Sequence, residues 1–147
     1  MTFFKRLAGY WQNTQSMPLL LRLLSQGTMV AAPILLLFLL LPIMEWDING
    51  HRVTYTELWH SGQGVAIASS LAFAAAGAWG LAARNSASRW LLVLTPVVPY
   101  LALVILPATS SKAFTPGGIA SAVFTTVVFY FCLFHLRVVR AYLESRA

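Results

Sequence analysis

Residues 64–83 read GVAIASSLAFAAAGAWGLAA, twenty positions without a Lys, Arg, Asp or Glu. A helix of about 20 apolar residues is long enough to cross the hydrocarbon core of a bilayer. Three further stretches of similar length also lack these charged residues: 27–44, 90–106 and 118–136. The sequence therefore predicts an all-α integral membrane protein, a four-transmembrane-helix bundle that forms a single domain over residues 1–147.

The amino-acid composition argues against a soluble domain. Hydrophobic residues make up 59% of the chain and charged residues only 10%. A soluble globular domain carries about 25% charged residues, so too little polar sequence remains here to cover four apolar helices in water. The single cysteine, Cys132, excludes an intrachain disulfide and a thiolate metal cluster.

The net charge of +6 is explained by topology rather than by nucleic-acid binding. All Lys and Arg residues except Arg52 and Lys112 lie in segments 1–26, 84–89 and 137–147. By the positive-inside rule, this asymmetry predicts a multi-pass protein of an inner (plasma) membrane with both termini in the cytoplasm. The lipid bilayer, with its anionic headgroups, is then the partner of the basic residues, and no nucleic-acid partner is expected.

Both terminal segments are predicted to form helices at the cytoplasmic surface. Residues 1–26 contain an amphipathic pattern over Thr2–Asn13 that is typical of an interfacial helix. Ser16 is predicted to cap the next helix, with Pro18 in its first turn. Residues 137–147 are predicted to continue from the fourth span as a basic cytoplasmic helix.

The first loop outside the membrane, residues 45–63, is predicted to form a small extracytoplasmic cap. Asn49-Gly50 lies between alternating residues, and this dipeptide favours a tight β-hairpin turn. Thr56 is the predicted N-cap of a short helix that ends at Ser61-Gly62. The second outside loop comprises residues 107–117.

Small residues recur every four positions along the second span and form two ridges. Such ridges allow helices to approach closely in lipid, so this span is the predicted central helix and the predicted helix-contact surface. Packing within the chain is the preferred interpretation over a dedicated surface for a second copy. The ridges comprise Ala66, Ser70, Ala74 and Ala78, and Ala68, Ala72, Ala76 and Gly80.

Prolines interrupt two of the spans. Pro33 is expected to kink the first span, because it removes a backbone donor from the helix. Pro96 and Pro99 in the middle of the third span predict a kinked helix or a break in its hydrogen bonds. Any cavity is therefore expected beside the third span. Its candidate lining residues are Thr95, Tyr100 and Cys132.

Catalytic and metal-binding motifs are missing from the spans, where His135 is the one charge-capable candidate. A zinc ion held by Asp47, His51 and His60 in the first loop is arithmetically possible, but exposed loop histidines are the preferred interpretation. Glu57 and His60 have the spacing used in di-iron bundles, which need two such motifs and further carboxylates. No catalytic residue, cofactor or metal is predicted.

These observations favour a non-enzymatic inner-membrane interaction protein that acts through helix–helix and outer-loop contacts. In size, number of spans and lack of catalytic residues the chain is similar to the colicin-type immunity proteins, although no motif carries that similarity. An immunity protein against a membrane-inserting toxin and an accessory subunit of a membrane complex are the two specific forms. The predicted outer-loop recognition residues are Trp46, Asp47, His51, Arg52, Glu57, Trp59 and His60.

Two alternatives remain open. A small-molecule binding or transport protein would use a pocket beside the proline-broken third span, as a monomer or as an oligomer. Transport by a monomer is disfavoured, because transporters usually carry ionisable residues within their spans. An enzyme would be centred on His51 and His60 of the outer loop.

Overall fold

Helices account for most of this structure. The computed structural model describes residues 2–43, 45–48, 50–105 and 115–144 and is 78% helical. In these residues the helices are α1 (Thr2–Gln15), α2 (Leu19–Leu40), α3 (Tyr55–His60), α4 (Gln63–Ala82), α5 (Ser88–Leu94), α6 (Val98–Ile105), α7 (Pro116–Phe134) and α8 (Arg137–Glu144). Strands β1 (Trp46–Ile48) and β2 (His51–Val53) pair between α2 and α3. Most of the second predicted loop lies outside the described residues.

Three helices, α2, α4 and α7, are long and apolar enough to cross a membrane. A fourth crossing results if α5 and α6, which are bent by 70° at the break between them, form one span. These elements coincide with the four apolar stretches of the sequence. α2 begins before the predicted span 27–44, directly after Pro18. It ends at Leu40, because Leu41 precedes Pro42 and adopts an extended backbone.

The start of α2 corrects one prediction made from sequence. Ser16 does not cap this helix, since its hydroxyl donates a hydrogen bond to the carbonyl of Asn13 at 2.8 Å. Pro18 occupies the cap position instead, and it offers no side-chain hydrogen bond there. α2 continues through Pro33 as one helix.

α4 lies at the centre of the packing, as the small-residue ridges predicted. It contacts α1, α2, α3, α5 and α6, whereas α7 packs on α5 and α8. Two glycines allow α5 to approach. A side-chain carbon added at Gly77 would lie 2.7 Å from Leu92, and one added at Gly80 would lie 2.5 Å from Ser88. Neither position has room for a larger residue unless α5 moves.

The two ends of the bundle differ in structure and in charge. At one end, which we call the basic end, α1, α4, α5 and α8 contribute to a common buried apolar cluster that includes Leu81 and Tyr142. The guanidinium of Arg84 lies 4.9 Å from the ring centre of Tyr142, and that of Arg89 lies 4.5 Å from Phe134. These cation–π contacts help to hold α8 against the α4–α5 connection, where Arg84 lies, and α7 against α5, which carries Arg89. The opposite end, the cap end, carries β1, β2 and α3.

The predicted hairpin and short helix form the cap end. β1 and β2 pair antiparallel with Asp47 opposite Arg52. Gly50 adopts φ +78°, and its N–H donates to the Asp47 carboxylate at 2.9 Å. The start of α3 differs from the prediction: Thr54, not Thr56, is the N-cap. The reason is a capping box with Glu57, three residues after Thr54.

A chain of hydrogen bonds fixes α1 to the basic end. The Tyr10 hydroxyl lies 2.9 Å from the carbonyl oxygen of Ser25 and 2.6 Å from its hydroxyl. The Ser25 hydroxyl in turn donates to the carbonyl of Ala78 in α4 at 3.0 Å. Burial raises the pKa of Tyr10, and the Ser25 hydrogen bond partly offsets this rise. α1 is therefore packed onto α2 and α4 through a buried polar group, which its amphipathic pattern did not reveal.

Candidate functional site

The third apolar stretch is broken where its two prolines lie. α5 ends at Leu94 and α6 begins at Val98, with a turn at residues 95–97 between them. Proline has no N–H, so Pro96 cannot donate to the carbonyl of Leu92, and Pro99 cannot donate to that of Thr95. The predicted break in the hydrogen bonds of this span is confirmed.

The carbonyls that the prolines leave without a helical donor find other partners. The Ser70 hydroxyl of α4 donates to the Thr95 carbonyl at 3.0 Å. The Thr95 N–H lies 3.1 Å from the Leu91 carbonyl and 3.3 Å from that of Leu92, which closes the last turn of α5. Ser and Thr side chains commonly satisfy backbone groups at such breaks in apolar surroundings. Ser70 therefore stabilises the bend and ties it to the central helix.

A cavity of about 370 Å³ lies beside the break, between α4, α6 and α7 and beneath Ile48 of β1. The bend accounts for its position, because α6 follows α4 while α7 packs along α5. Small-molecule sites commonly measure roughly 300–1,000 Å³, so this cavity is within the range at its lower end. Its wall is formed by Ile48, Gln63, Ala66, Ile67, Pro96, Pro99, Tyr100, Leu103, Gly118, Ser121, Ala122 and Thr125.

Gln63 is the most informative polar residue of this wall. It is the first residue of α4 and is only 9% exposed. Its carboxamide oxygen Oε1 is buried and has no hydrogen-bond partner among the described residues. An unpaired buried acceptor costs about 1–3 kcal/mol. A ligand in the cavity would remove that cost if the carboxamide turned Oε1 toward it, because Oε1 itself is not exposed to the cavity.

The remaining polar side chains of the wall are mostly arranged by local contacts. The Thr125 hydroxyl donates to the Ser121 carbonyl in its own helix at 2.8 Å. The Tyr100 hydroxyl lies against α7, where a side-chain carbon at Gly118 would be only 2.8 Å away. The absence of a side chain at Gly118 therefore leaves space for the Tyr100 hydroxyl. The wall is therefore largely apolar, with Gln63, Tyr100 and Thr125 as its buried or half-buried polar residues.

The cavity was expected beside the third span, and the structure places it there. Of the predicted lining residues, Tyr100 is part of the wall, whereas Thr95 and Cys132 are not. Gln63 was not predicted. Its signal in the sequence was weak, since it directly precedes the apolar run and a polar residue at such a boundary is ordinary.

The predicted helix-contact residues are divided between the interior and the surface. Most of them pack within the chain: Ala66 and Ala78 are buried, and Ala68, Ser70, Ala74 and Gly80 are half-buried. Ala72 and Ala76 are exposed. Packing inside the molecule accounts for the first ridge and for half of the second, and docking of a partner on the exposed pair stays a prediction.

The predicted outer-loop residues are brought together on the cap. The charged or ionisable members are all exposed, and the two tryptophans are half-buried. They comprise Asp47, His51, Arg52, Glu57 and His60, with Trp46 and Trp59. Hydrogen bonds from the Thr54 backbone N–H and then its hydroxyl lower the pKa of Glu57. Within the described ranges, no three His, Cys, Asp or Glu side chains gather as a metal-binding group.

No protein-family model, curated protein or solved structure matches this chain. The candidate site is therefore supported by its own geometry.

Proposed function

We propose that the protein is a four-span inner-membrane protein that binds a small amphipathic molecule in the cavity beside its broken third span. Three apolar helices and one bent pair of sufficient length support the membrane location. The gathering of basic residues at one end supports an orientation with both termini in the cytoplasm. The cavity would then lie toward the outer side, beneath the cap.

The buried Gln63 oxygen carries this proposal. An apolar cavity alone is satisfied by lipid chains, but a buried acceptor without a partner selects a molecule that carries a hydrogen-bond donor. The proposed ligand is therefore an apolar molecule with one hydroxyl or amine group. Binding requires no catalytic residue, metal or cofactor, which agrees with the lack of catalytic motifs in the sequence.

The test compares two fluorescent probes of nearly equal shape, 1-aminoanthracene and anthracene, on the purified protein in detergent. The amine of the first probe can donate to Gln63 Oε1 once the carboxamide turns toward the cavity, and the second probe has no donor. We expect 1-aminoanthracene to bind about tenfold more tightly, the effect of one hydrogen bond worth about 1.4 kcal/mol. Gln63→Met, which keeps the side-chain length, should abolish this preference.

The matched control is Gln15→Met, which removes the same group from an exposed position at the end of α1. It should leave both affinities unchanged. Equal affinities of the two probes for the unmodified protein, or an unchanged preference in Gln63→Met, would exclude Gln63 as the recognition group.

A second candidate function is recognition of another membrane protein by the cap, as in an immunity protein or an accessory subunit. The observation that favours it is the hydrogen-bonded backbone that carries the exposed residues. The hairpin register, the Asp47–Gly50 hydrogen bond and the Thr54–Glu57 capping box fix the backbone that presents them. A backbone that is already ordered loses little conformational entropy on binding, which favours specific contacts.

Site-specific photocrosslinking in intact membranes tests the second candidate. A photoreactive residue in place of Arg52, which is exposed on β2, should crosslink one defined membrane protein. The same residue in place of Asn85, exposed at the basic end, should not yield that product. Identical products from the two positions, or none from Arg52, would count against recognition by the cap.

A further inference from the structure

A second cavity, of about 350 Å³, lies at the basic end between α1 and α4. One wall comes from α1 and the other from the last turns of α4. The residues of α1 recur at intervals of three and four and therefore share one helix face. The lining residues are Arg6, Gly9, Tyr10 and Asn13 of α1, with Trp79, Ala82 and Ala83.

Aromatic stacking and hydrogen bonding hold this basic-end cavity in shape. The Tyr10 ring stacks on Trp79, with ring centres 5.2 Å apart and an angle of 14° between the planes. The hydroxyl of the same tyrosine is bonded to Ser25 of α2. Tyr10 is buried, while Trp79 remains 36% exposed. One side of the cavity is thus a fixed aromatic surface that continues onto the exterior of α4.

Gly9 keeps the middle of the cavity open. A side-chain carbon added there would have no other atom within 4 Å. Glycine inside a helix is less stable than alanine by about 0.5–1 kcal/mol, so this position gives up helix stability without any steric need from the protein itself. The space in front of Gly9 is therefore open to a molecule that enters the basic-end cavity.

The excess of positive charge at the basic end favours binding of an anion. Arg6 makes no ion pair with a carboxylate in the described part of the chain. A single described acid, Glu144, accompanies the basic residues of this end. These are Lys5, Arg6, Arg22, Arg84, Arg89, Arg137 and Arg140.

We propose that the basic-end cavity binds the phosphate group of an anionic phospholipid, with Arg6 and Asn13 as its donors and Trp79 beside its acyl chains. Arginine pairs with phosphate through charge-assisted hydrogen bonds. The apolar wall of Trp79, Ala82 and Ala83 distinguishes a lipid from a free phosphate ion, because an ion gains nothing from that surface. Tryptophan is also enriched at the depth of lipid headgroups.

Native mass spectrometry of the detergent-solubilised protein tests this site with added phosphatidylglycerol, phosphatidylcholine or inorganic phosphate. We expect one tightly retained phosphatidylglycerol and weaker retention of phosphatidylcholine, because the basic residues of this end repel the choline cation. Arg6→Gln should weaken phosphatidylglycerol binding about tenfold, the loss of one charge-assisted hydrogen bond. Gly9→Leu, which fills the cavity, should also remove the tight site while circular dichroism shows an unchanged helix content.

Two variants serve as controls. Lys5→Gln removes one positive charge at the neighbouring, exposed position of α1 and should leave binding unchanged. Gln63→Met at the cap-end cavity should also have no effect, which separates this proposal from the proposed function. The two proposals have only the membrane location of the protein in common.

Three results would overturn the proposal. An equal loss in Lys5→Gln and Arg6→Gln would mean diffuse attraction to the surface. Tight binding retained in a folded Gly9→Leu variant would place the lipid elsewhere. Displacement of phosphatidylglycerol by millimolar inorganic phosphate would identify the ligand as the free ion.

Discussion

Ser70→Ala should destabilise the bundle because it removes the donor that satisfies the Thr95 carbonyl. The hydroxyl and the carbonyl oxygen are 3.0 Å apart. Hydrogen bonds between helices in membranes contribute about 0.6 kcal/mol on average and at most about 1.7 kcal/mol. The Thr95 carbonyl has no helical donor of its own, since Pro99 has no N–H. We therefore expect a loss toward the upper end, about 1 kcal/mol.

A double-mutant cycle with Pro99→Ala isolates this effect. The Pro99→Ala change introduces an N–H at the position that can donate to the Thr95 carbonyl, so the Ser70 hydroxyl becomes dispensable. In that background Ser70→Ala should cost close to nothing, which gives a coupling energy of about 1 kcal/mol. The free energy of unfolding is measured in mixed micelles of dodecylmaltoside and sodium dodecyl sulfate.

Ser69→Ala is the matched control for this cycle. The Ser69 hydroxyl donates to the Ala66 carbonyl within α4 at 2.8 Å, and among the described residues it has no hydrogen bond to another helix. Its removal should change the free energy of unfolding by less than about 0.5 kcal/mol. An equal cost of Ser70→Ala with and without Pro99 would refute the compensation argument, because the hydroxyl would then act independently of the missing N–H.

Three further predictions concern other parts of the molecule. Gly77→Leu should destabilise by about 1–3 kcal/mol, measured in the same micelles, because the side chain would overlap Leu92. The cap should lose stability as the pH falls from 4.5, the ordinary pKa of a glutamate, through the lowered pKa of Glu57. Protonation removes the negative charge that strengthens the hydrogen bonds from Thr54. Amide exchange of the cap reports this loss. The packing of α1 on α2 and α4 should weaken as the pH rises from 10, the ordinary pKa of a tyrosine, through the raised pKa of Tyr10. Tryptophan fluorescence follows this change.

Each of these predictions has a variant as its control. Gly27→Ala lies at an exposed position of α2 with no atom within 4 Å, so it should stabilise by about 0.5–1 kcal/mol. Glu57→Gln should abolish the acid-dependent loss in the cap, and Tyr10→Phe the alkaline loss at α1. Persistence of either pH dependence in its variant would assign it to another group.

The apolar helices and the break were predictable because each follows from a strong local rule. A charged residue inside a bilayer is costly, so charge-free runs such as 64–83 mark candidate spans with little ambiguity. Pro96 and Pro99 remove donors wherever they stand, so a break near them required no knowledge of neighbours. The Asn49-Gly50 dipeptide likewise predicted the hairpin, although Asn49 itself lies outside the described residues.

The errors arose where two nearby residues competed for one role. Thr54 and Thr56 both suit an N-cap, and the choice is made by Glu57, whose side chain reaches back to Thr54. This signal was present in the sequence as Thr54-Tyr55-Thr56-Glu57. The contacts of Ser70 with Thr95 and of Tyr10 with Ser25 join different helices, and no local pattern predicts which hydroxyl meets which carbonyl.

Two polar side chains on one face of α4 differ in whether the protein satisfies their hydrogen-bonding groups. Gln63 and Ser70 are seven residues apart and so lie on the same helix face. Ser70 is satisfied by the protein, whereas Gln63 Oε1 is buried without a partner. Gln63→Met should therefore raise the free energy of unfolding of the ligand-free protein, by up to about 1 kcal/mol, while it abolishes the preference for the amine probe. A destabilised Gln63→Met variant would show that the protein itself uses this oxygen, and the argument for a ligand would fail.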